Sequence, residues 1–271
     1  MYMKKNLFAY SFICAILLLS ACQRNAITGR SQLSIVSESE VQSLAVGQYK
    51  SFLDSNKVAA VSSKDAIMVK RVGNRIIEAI KTYYSQQGLS KELEGYNWEV
   101  NLVQNKEMNA WCMPGGKIVV YTGLLPVTKN EASLAVVMGH EIAHALARHG
   151  SERMSQAMLQ QGLGLGISLA LSNKPAQTQN IFNTAYGIGS GAGLSAFSRS
   201  NELEADKFGL RFSSLAGYDP REAIDFWQRM SKASGGGSIP SLFSTHPSDA
   251  TRIAELEKIM DETIKNYYKK P

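Results

Sequence analysis

Three of the four histidines in this chain lie within one apolar run, MGHEIAHALARHG, at residues 138–150. His140 and His144 are four residues apart, so on a helix they lie on the same face, one turn from each other. The small and apolar flanking residues indicate that this helix is buried. Buried imidazoles need polar partners, and two at this spacing can bind one tetrahedral zinc ion. The chain must therefore fold so that further ligands reach this helix face.

Glu141 directly follows the first histidine and is offset from the face that the two histidines share. It is poorly placed to bind the same ion, but it can hold a metal-bound water and take its proton. This is the logic of the H-E-x-x-H pattern, in which zinc lowers the pKa of its water toward about 7. We predict a helix over 131–149 that Gly150 ends, with His149 pointing elsewhere as a capping or packing residue.

A catalytic zinc ion commonly has three protein ligands and an open position, so a third ligand must come from elsewhere in the chain. The segment SRSNELEADKFGL, in a helix predicted over 198–216, carries Glu202 and Asp206 on one face. One carboxylate can reach the zinc ion, while the other fixes the tautomer of a ligating imidazole. Glu204 points roughly the opposite way. The competing interpretation is an exposed acidic face.

The N-terminal stretch MYMKKNLFAYSFICAILLLSAC has the layout of a secretory signal peptide, with a basic start, an apolar run at 7–19 and small residues. The apolar run is shorter than the roughly 20 residues that a spanning helix needs, although an N-terminal membrane anchor is the alternative. The end of the stretch, LSAC, resembles the bacterial lipobox, which implies cleavage before Cys22 and lipidation of that cysteine. Because glutamine follows the cysteine, enterobacteria-like sorting would direct the protein to the outer membrane.

From this pattern we expect a signal peptide at 1–21, an extended lipidated tether at 22–36 and one folded domain at 37–271. The composition, 44% hydrophobic and 19% charged, suits a globular protein. Removal of Lys4 and Lys5 reduces the net charge from +6 to about +4, and the remaining basic residues are scattered, so nucleic acid is not an expected partner. Cys112 would be the only unmodified thiol, and we favour a buried inert thiol over a reactive one.

The hydrophobic pattern predicts a mainly α fold with a small β-sheet, of the α+β class. A serine and a glutamate three residues later, Ser37 and Glu40, predict a capping box at the start of a helix. The segment KDAIMVKRVGNRIIEAIKTYYSQQG predicts an amphipathic helix, and YNWEVNLVQN and KIVVYTG predict two strands. Two glycine-rich segments, 162–172 and 185–198, favour close helix packing over a mobile or membrane-touching hairpin.

Together these motifs resemble the zinc metallopeptidases that include the CAAX prenyl protease and HtpX, metallopeptidase family forty-eight, of the gluzincin type. The resemblance runs over about 26–256 and also includes NAWCMPGGKIVVYTGLL at 109–125 and STHPSDATRIAEL at 244–256. Within this family the chain resembles the soluble exported lipoprotein branch that includes BepA, LoiP and YcaL. The resemblance implies a zincin-like domain with one zinc ion per chain, bound by His140, His144 and Glu202. Glu141 would be the general base, and Asp206 would lie behind a ligand and orient it.

The same resemblance implies further roles. His246 would either bind zinc as a fourth ligand that keeps the enzyme latent or contact the transition state, with a surface-loop histidine as the simpler alternative. Arg252 is a weaker candidate for contacting an oxyanion or a carboxylate, and Asn109 would hydrogen-bond the substrate backbone or the oxyanion. An extended substrate would pair with a free strand edge of this chain. That edge would be formed by Lys117, Ile118, Val119, Val120 and Tyr121.

We therefore expect a zinc metalloendopeptidase that is lipid-anchored in the bacterial outer membrane and faces the periplasm. It would cut misfolded or misassembled envelope proteins by a Glu-assisted zinc-water mechanism, with the outer-membrane assembly machinery as a further partner. The alternative is an outer-membrane protein assembly factor or chaperone with a latent zinc site. A purely structural zinc protein is disfavoured, because Glu141 has no structural purpose beside two ligands.

Overall fold

The computed structural model describes residues 22–160, 175–186, 197–234, 242, 246 and 250–270. The strands are β1 (Cys22–Arg24), β2 (Ser31–Leu33), β3 (Glu99–Val103), β4 (Ala110–Met113) and β5 (Lys117–Tyr121). The helices are α1 (Glu38–Ser55), α2 (Lys64–Gln86), α3 (Leu125–Thr128), α4 (Glu131–Leu146), α5 (His149–Gln160), α6 (Pro175–Tyr186), α7 (Arg199–Leu215), α8 (Glu222–Ser234) and α9 (Ala250–Asn266). Short 3-10 turns lie at Ser90–Leu93 and Thr122–Leu124. This confirms the mainly α, α+β prediction. None of the helices in these ranges is long and apolar enough to cross a bilayer.

Several helix predictions are confirmed at their starts. The capping box of α1 forms, with Ser37 accepting from the backbone N–H of Glu40 and Glu40 accepting from that of Ser37. The predicted apolar stripe of α2 is buried, except that Ile67 is 48% exposed. Helix α7 begins as predicted after Ser198, whose side chain accepts from the N–H of Asn201. The glycine-rich segments 162–172 and 185–198 lie outside the described residues, apart from 185–186 and 197–198.

The three-stranded sheet has β5 at its centre, between β3 and β4. Strand β5 runs parallel to β3, pairing Glu99 with Lys117, and antiparallel to β4, pairing Met113 with Lys117. The expectation that residues 117–121 offer a free edge to a substrate is therefore wrong, because ladder partners occupy both sides of β5. Strand β4 was not predicted from the hydrophobic pattern, because AWCM is short and lacks a period-two alternation with polar residues.

Helices α4 and α7 cross at two glycines. A Cβ on Gly139 would lie 2.6 Å from the carbonyl oxygen of Gly209, and a Cβ on Gly209 would lie 2.6 Å from the backbone nitrogen of His140. Carbon atoms do not approach backbone so closely, so only glycine permits this crossing. The close approach brings Glu202 and Asp206 of α7 beside the histidines of α4.

The helix predicted over 131–149 is interrupted by a turn. Helix α4 ends at Leu146, and Arg148 takes a left-handed conformation with a φ of 56° before α5 begins at His149. The prediction that Gly150 ends a helix is wrong. Gly150 lies inside α5, where a Cβ would overlap the ring of Tyr186. The turn points His149 back toward α4 instead of away from it.

The segment 22–36, expected to be an extended tether, contains a two-stranded antiparallel hairpin formed by β1 and β2. Two buried side chains of this hairpin hold the end of α4. The Asn25 Nδ2 donates to the carbonyl of Leu146 at 2.9 Å, and the Gln32 Nε2 donates to the carbonyl of Ala147. The last carbonyls of a helix lack partners within the helix, so these two amides satisfy groups that would otherwise be buried without hydrogen bonds.

Candidate metal centre

Four buried side chains from separate parts of the chain converge at one point. Helix α4 contributes His140 and His144, helix α7 contributes Glu202, and His246 comes from the segment before α9. The Nε2 atoms of His140 and His144 are 3.0 Å apart. The Glu202 Oε1 lies 3.4 Å from His144 Nε2, and its Oε2 lies 3.5 Å from His140 Nε2. The predicted two-histidine face and the carboxylate of α7 therefore meet.

His246 completes this group. Its Nδ1 lies 2.9 Å from Glu202 Oε1 and 3.4 Å from His140 Nε2, and its side chain is buried. One donor atom from each of the four residues lies within 4.8 Å of the others. His246 is therefore not a surface-loop histidine.

The spacing of the donor atoms fits one tetrahedral metal ion. Zinc binds imidazole nitrogen at about 2.0–2.1 Å, so tetrahedral ligand atoms lie roughly 3.3 Å from one another. The three separations among His140, His144 and Glu202 are 3.0, 3.4 and 3.5 Å. Nitrogen and carboxylate oxygen are donors that zinc accepts readily. The residues present thus fit a single zinc ion.

Glu141 lies on the next position of α4 and is buried. Its Oε1 has no hydrogen-bond partner among the described residues, and His246 Nε2 lies 3.6 Å from it. Burial raises the pKa of the Glu141 carboxyl above its ordinary value. The burial of Cys112, helped by the charge of Glu141, raises the pKa of that thiol well above its ordinary value, so it is protonated at neutral pH.

His140 is held from behind by a carboxylate and an arginine. Its Nδ1 lies 2.9 Å from Asp206 Oδ1. Arg252 donates to Asp206 through Nε at 2.7 Å and Nη2 at 2.6 Å. Burial acts to raise the pKa of Asp206, but Arg252 and His140 stabilise the carboxylate and hold its pKa below the ordinary value. An ionised Asp206 accepts from His140 Nδ1 and leaves Nε2 free to bind metal.

The contacts of Arg252 do not fit the predicted oxyanion role. Besides Asp206, its guanidinium contacts Glu202, with Nη1 2.7 Å from Oε2, and it stacks 4.0 Å from the ring centroid of Trp227. All three of its nitrogens are therefore engaged with carboxylates of α7. These contacts place Arg252 behind the metal-binding group.

His144 has a second set of residues behind it. Its Nδ1 lies 2.9 Å from His149 Nδ1, and His149 Nε2 lies 2.7 Å from Glu204 Oε2. The prediction that His149 points elsewhere is wrong, and Glu204 does not face away from the site. Burial lowers the pKa of His149, whereas Glu204 has a pKa below its ordinary value because His149 and Arg30 outweigh its own burial. Spacing along a single helix could not reveal this contact, because the turn at Arg148 creates it.

The predicted substrate-binding residues lie in the sheet. Asn109 precedes β4, where its Oδ1 accepts from the N–H of Ala110 at 2.9 Å and its carbonyl accepts from the N–H of Tyr121 at 3.0 Å. Strand β4 packs against α4, which carries the histidines. Residues 117–121 form the central strand β5, which is buried between β3 and β4.

Sequence comparisons find related metalloendopeptidases. The chain is 29% identical over 279 residues to "Metalloendopeptidase OMA1, mitochondrial" of Bos taurus, covering 96% of this chain and 50% of that protein. It is 36% identical over 180 residues to "Mitochondrial metalloendopeptidase OMA1" of Arabidopsis thaliana, covering 66% and 35%. It is 31% identical over 160 residues to "Beta-barrel assembly-enhancing protease" of Escherichia coli (strain K12), covering 57% and 32%. The chain thus spans half or less of the length of these three relatives.

A family model described as "Peptidase family M48" matches residues 69–260, which include all four residues of the metal-binding group. The match agrees with the resemblance inferred from the motifs. On the extent of this match and the donor geometry, the chain belongs to peptidase family M48.

Proposed function

We propose that this chain is a zinc-dependent endopeptidase whose active centre is the metal-binding group on α4 and α7. The observation that carries the proposal is the buried Glu141, whose Oε1 has no hydrogen-bond partner among the described residues and which adjoins His140. A buried carboxylate oxygen that accepts no hydrogen bond raises the free energy of the folded state, so its position needs a functional reason. Accepting a proton from water is such a reason.

Bound zinc lowers the pKa of water toward about 7 and polarises a substrate carbonyl. His140, His144 and Glu202 would hold the ion, and Glu141 would accept the proton of the attacking water at Oε1, the oxygen that accepts no hydrogen bond among the described residues. Glu141 then delivers the proton to the leaving amine, since the same carboxyl group serves as base and acid in turn. Asp206 keeps His140 in the tautomer that binds metal.

An extended substrate would pair with β4 instead of β5. Among the described strands, β4 has its outer edge unpaired. Because Asn109 pairs with Tyr121 toward β5, alternation directs the backbone groups of Ala110 and Cys112 to the outer side. The Ala110 N–H already donates to Asn109 Oδ1, so the Ala110 carbonyl and the backbone groups of Cys112 are the ones that would pair with a substrate strand next to α4. A structure of a peptide complex with the peptide beside any other strand would overturn this assignment.

His246 is proposed as a fourth zinc ligand in the resting state. A zinc ion with four protein ligands has no open position for water and substrate, so the site would be latent until His246 leaves. The position of His246 within the metal-binding group favours a second candidate function, an assembly factor or chaperone with a latent zinc site. If the Glu141→Gln form fails to correct an envelope defect that the wild type corrects, this second function is refuted.

The zinc dependence can be tested on the purified chain. We expect one zinc ion per chain, loss of cleavage of an unfolded protein on chelation, and recovery on adding zinc. The Glu202→Gln variant should weaken zinc binding by more than the roughly 10–100-fold that loss of a residue behind a ligand costs. Zinc content and proteolysis are measured together, with Glu257→Gln, exposed on α9, as the matched control. Full cleavage by zinc-free protein would refute the proposal.

We further propose that the protein is lipid-anchored through Cys22 in the outer membrane, faces the periplasm and cuts misfolded or misassembled envelope proteins. The N-terminal signal and lipobox pattern supports the anchor. The similarity to a protease named for β-barrel assembly supports envelope substrates and a link to the outer-membrane assembly machinery. Other relatives bear mitochondrial names, so the location depends on the anchor itself.

The anchor is tested by changing Cys22, which is exposed at the start of β1. We expect the Cys22→Ser protein to lose lipid labelling and to move from the membrane fraction to the soluble fraction, because the thioether-linked chains provide the membrane affinity. The buried Cys112 supplies the matched control, since Cys112→Ser should keep the label. Undiminished labelling of Cys22→Ser would refute the anchor.

A further inference from the structure

The two histidines of α4 are held from behind by different parts of the chain. Behind His140 lie Asp206 and Arg252, the latter on the C-terminal helix α9. Behind His144 lie residues that lead instead to the N-terminal hairpin of β1 and β2. His149 contacts His144, Glu204 contacts His149, and Arg30 of the hairpin contacts Glu204, with 3.2 Å between Arg30 Nε and Glu204 Oε2. A continuous line of polar contacts thus joins the hairpin to the metal-binding group.

The hydrogen bonds along this line permit one arrangement when His144 binds a metal through Nε2. A neutral His144 then has its proton on Nδ1 and donates to His149 Nδ1. His149 must accept at Nδ1, so its own proton is on Nε2 and is donated to Glu204 Oε2. Glu204 Oε2 therefore accepts two hydrogen bonds, one from the Nε2–H of His149 and one from the Nε–H of Arg30. The orientation of each group is therefore set by the next one outward, and Arg30 ends the series.

Arg30 is itself held in place by the hairpin and by α5. Its Nη1 and Nη2 donate to the two carboxylate oxygens of Glu152, each at 2.8 Å. The Arg30 carbonyl accepts from the N–H of Asn25, the residue whose side chain holds the carbonyl of Leu146 at the end of α4. The guanidinium is one third exposed, whereas the His149 side chain is fully buried. The line therefore runs from near the protein surface to the metal ligand.

We propose that the N-terminal hairpin is a positioning element of the metal centre: Arg30, acting through Glu204 and His149, orients His144 for metal binding. This inference rests on the proposed zinc site. Arg30 touches neither metal nor substrate, so it is a positioning residue and not a catalytic one. Zinc affinity consequently depends on docking of the hairpin, which begins at the proposed lipidation site Cys22.

The proposal is tested by zinc affinity, measured by competition with a chromophoric chelator in the Glu141→Gln background, which prevents self-cleavage. We expect Arg30→Met and Glu204→Gln each to weaken zinc binding by about tenfold, the lower end for residues behind a ligand. The double variant should lose no more than the larger single change, because both act through one line of contacts. The visible spectrum of the cobalt-substituted protein should change in the same variants.

The matched control is Arg24→Met, which removes an exposed cation from the same hairpin where its Nε donates to the carbonyl of Gly29. Zinc affinity should be unchanged in this control. An equal loss in Arg24→Met would mean that the hairpin acts only through stability, and an unchanged affinity in folded Arg30→Met would also overturn the proposal. Absence of zinc binding by the parent protein would instead refute the proposed zinc site, so the two failures are distinguishable.

Discussion

The Glu141→Gln protein is expected to bind zinc as the wild type does and to lose peptide-bond hydrolysis by a factor on the order of 10³ or more, near the upper range for removing a general base. Glutamine has the same shape as glutamate but cannot accept the proton of the attacking water. The proposed zinc donors are His140, His144, Glu202 and His246, so the exchange leaves that set intact. The ratio kcat/KM on an internally quenched peptide and the zinc content per chain, measured on the same preparation, check this expectation.

The exchange should also relieve the cost of burying Glu141. Its pKa is raised by burial, so a neutral amide at this position is not expected to destabilise the fold. The Glu257→Gln variant, exposed on α9, controls for loss of a negative charge and should retain full activity. Cleavage by Glu141→Gln at the wild-type rate would refute the proposed mechanism, and loss of zinc along with activity would instead make Glu141 a ligand.

The His246→Ala protein is expected to cleave faster than the wild type while binding zinc more weakly. His246 Nδ1 lies among the other donor atoms, 2.9 Å from Glu202 Oε1, so removing the imidazole opens the fourth position. If the closed form is favoured by about 1.4 kcal/mol, only about one molecule in ten is open, and the rate rises on the order of tenfold. Kinetics on the quenched peptide and chelator competition give the two quantities.

The alternative role of His246 predicts the opposite result. A transition-state partner would lower kcat on removal and leave zinc affinity unchanged, so that outcome would contradict the fourth-ligand assignment. The double variant Glu141→Gln, His246→Ala is the matched control. It should be as inactive as Glu141→Gln alone, because opening the metal site gains nothing without the base.

The helix-spacing arguments identified the groups that lie along one helix. His140 and His144 share a face because four residues make about one turn, and Glu202 and Asp206 share a face of α7 for the same reason. These relations depend only on helix geometry, so they survive in the folded protein. The family resemblance added the choice of Glu202 as ligand and drew attention to His246, which no local spacing connects to α4.

The same arguments failed where the chain changes direction. His149 is five residues after His144, so on a continuous helix it would not share a face with His144. The turn at Arg148 instead places its Nδ1 2.9 Å from His144 Nδ1. Strand β4 gave no period-two signal, so its neighbour β5 was taken for the open edge. The polar composition of residues 22–36 predicts a tether, but several of these polar residues find partners in α4, α5 and α7, which the sequence does not place beside them.

Helix spacing in the sequence was enough to predict that His140 and His144 share a face of one helix, with Glu141 beside them, and that Glu202 and Asp206 share a face of another. Spacing within a helix is local, and a local rule fixes which side chains share a face. The groups behind His140 and His144, the unpaired edge among the described strands, and the approach of His246 and Arg30 to the metal-binding group depend on the tertiary fold. His140 and His246 are 106 positions apart and Arg30 and Glu204 are 174 apart, so no rule of local spacing predicts these contacts. The crossing of α4 and α7 at Gly139 and Gly209 brings the carboxylates of α7 beside the histidines of α4.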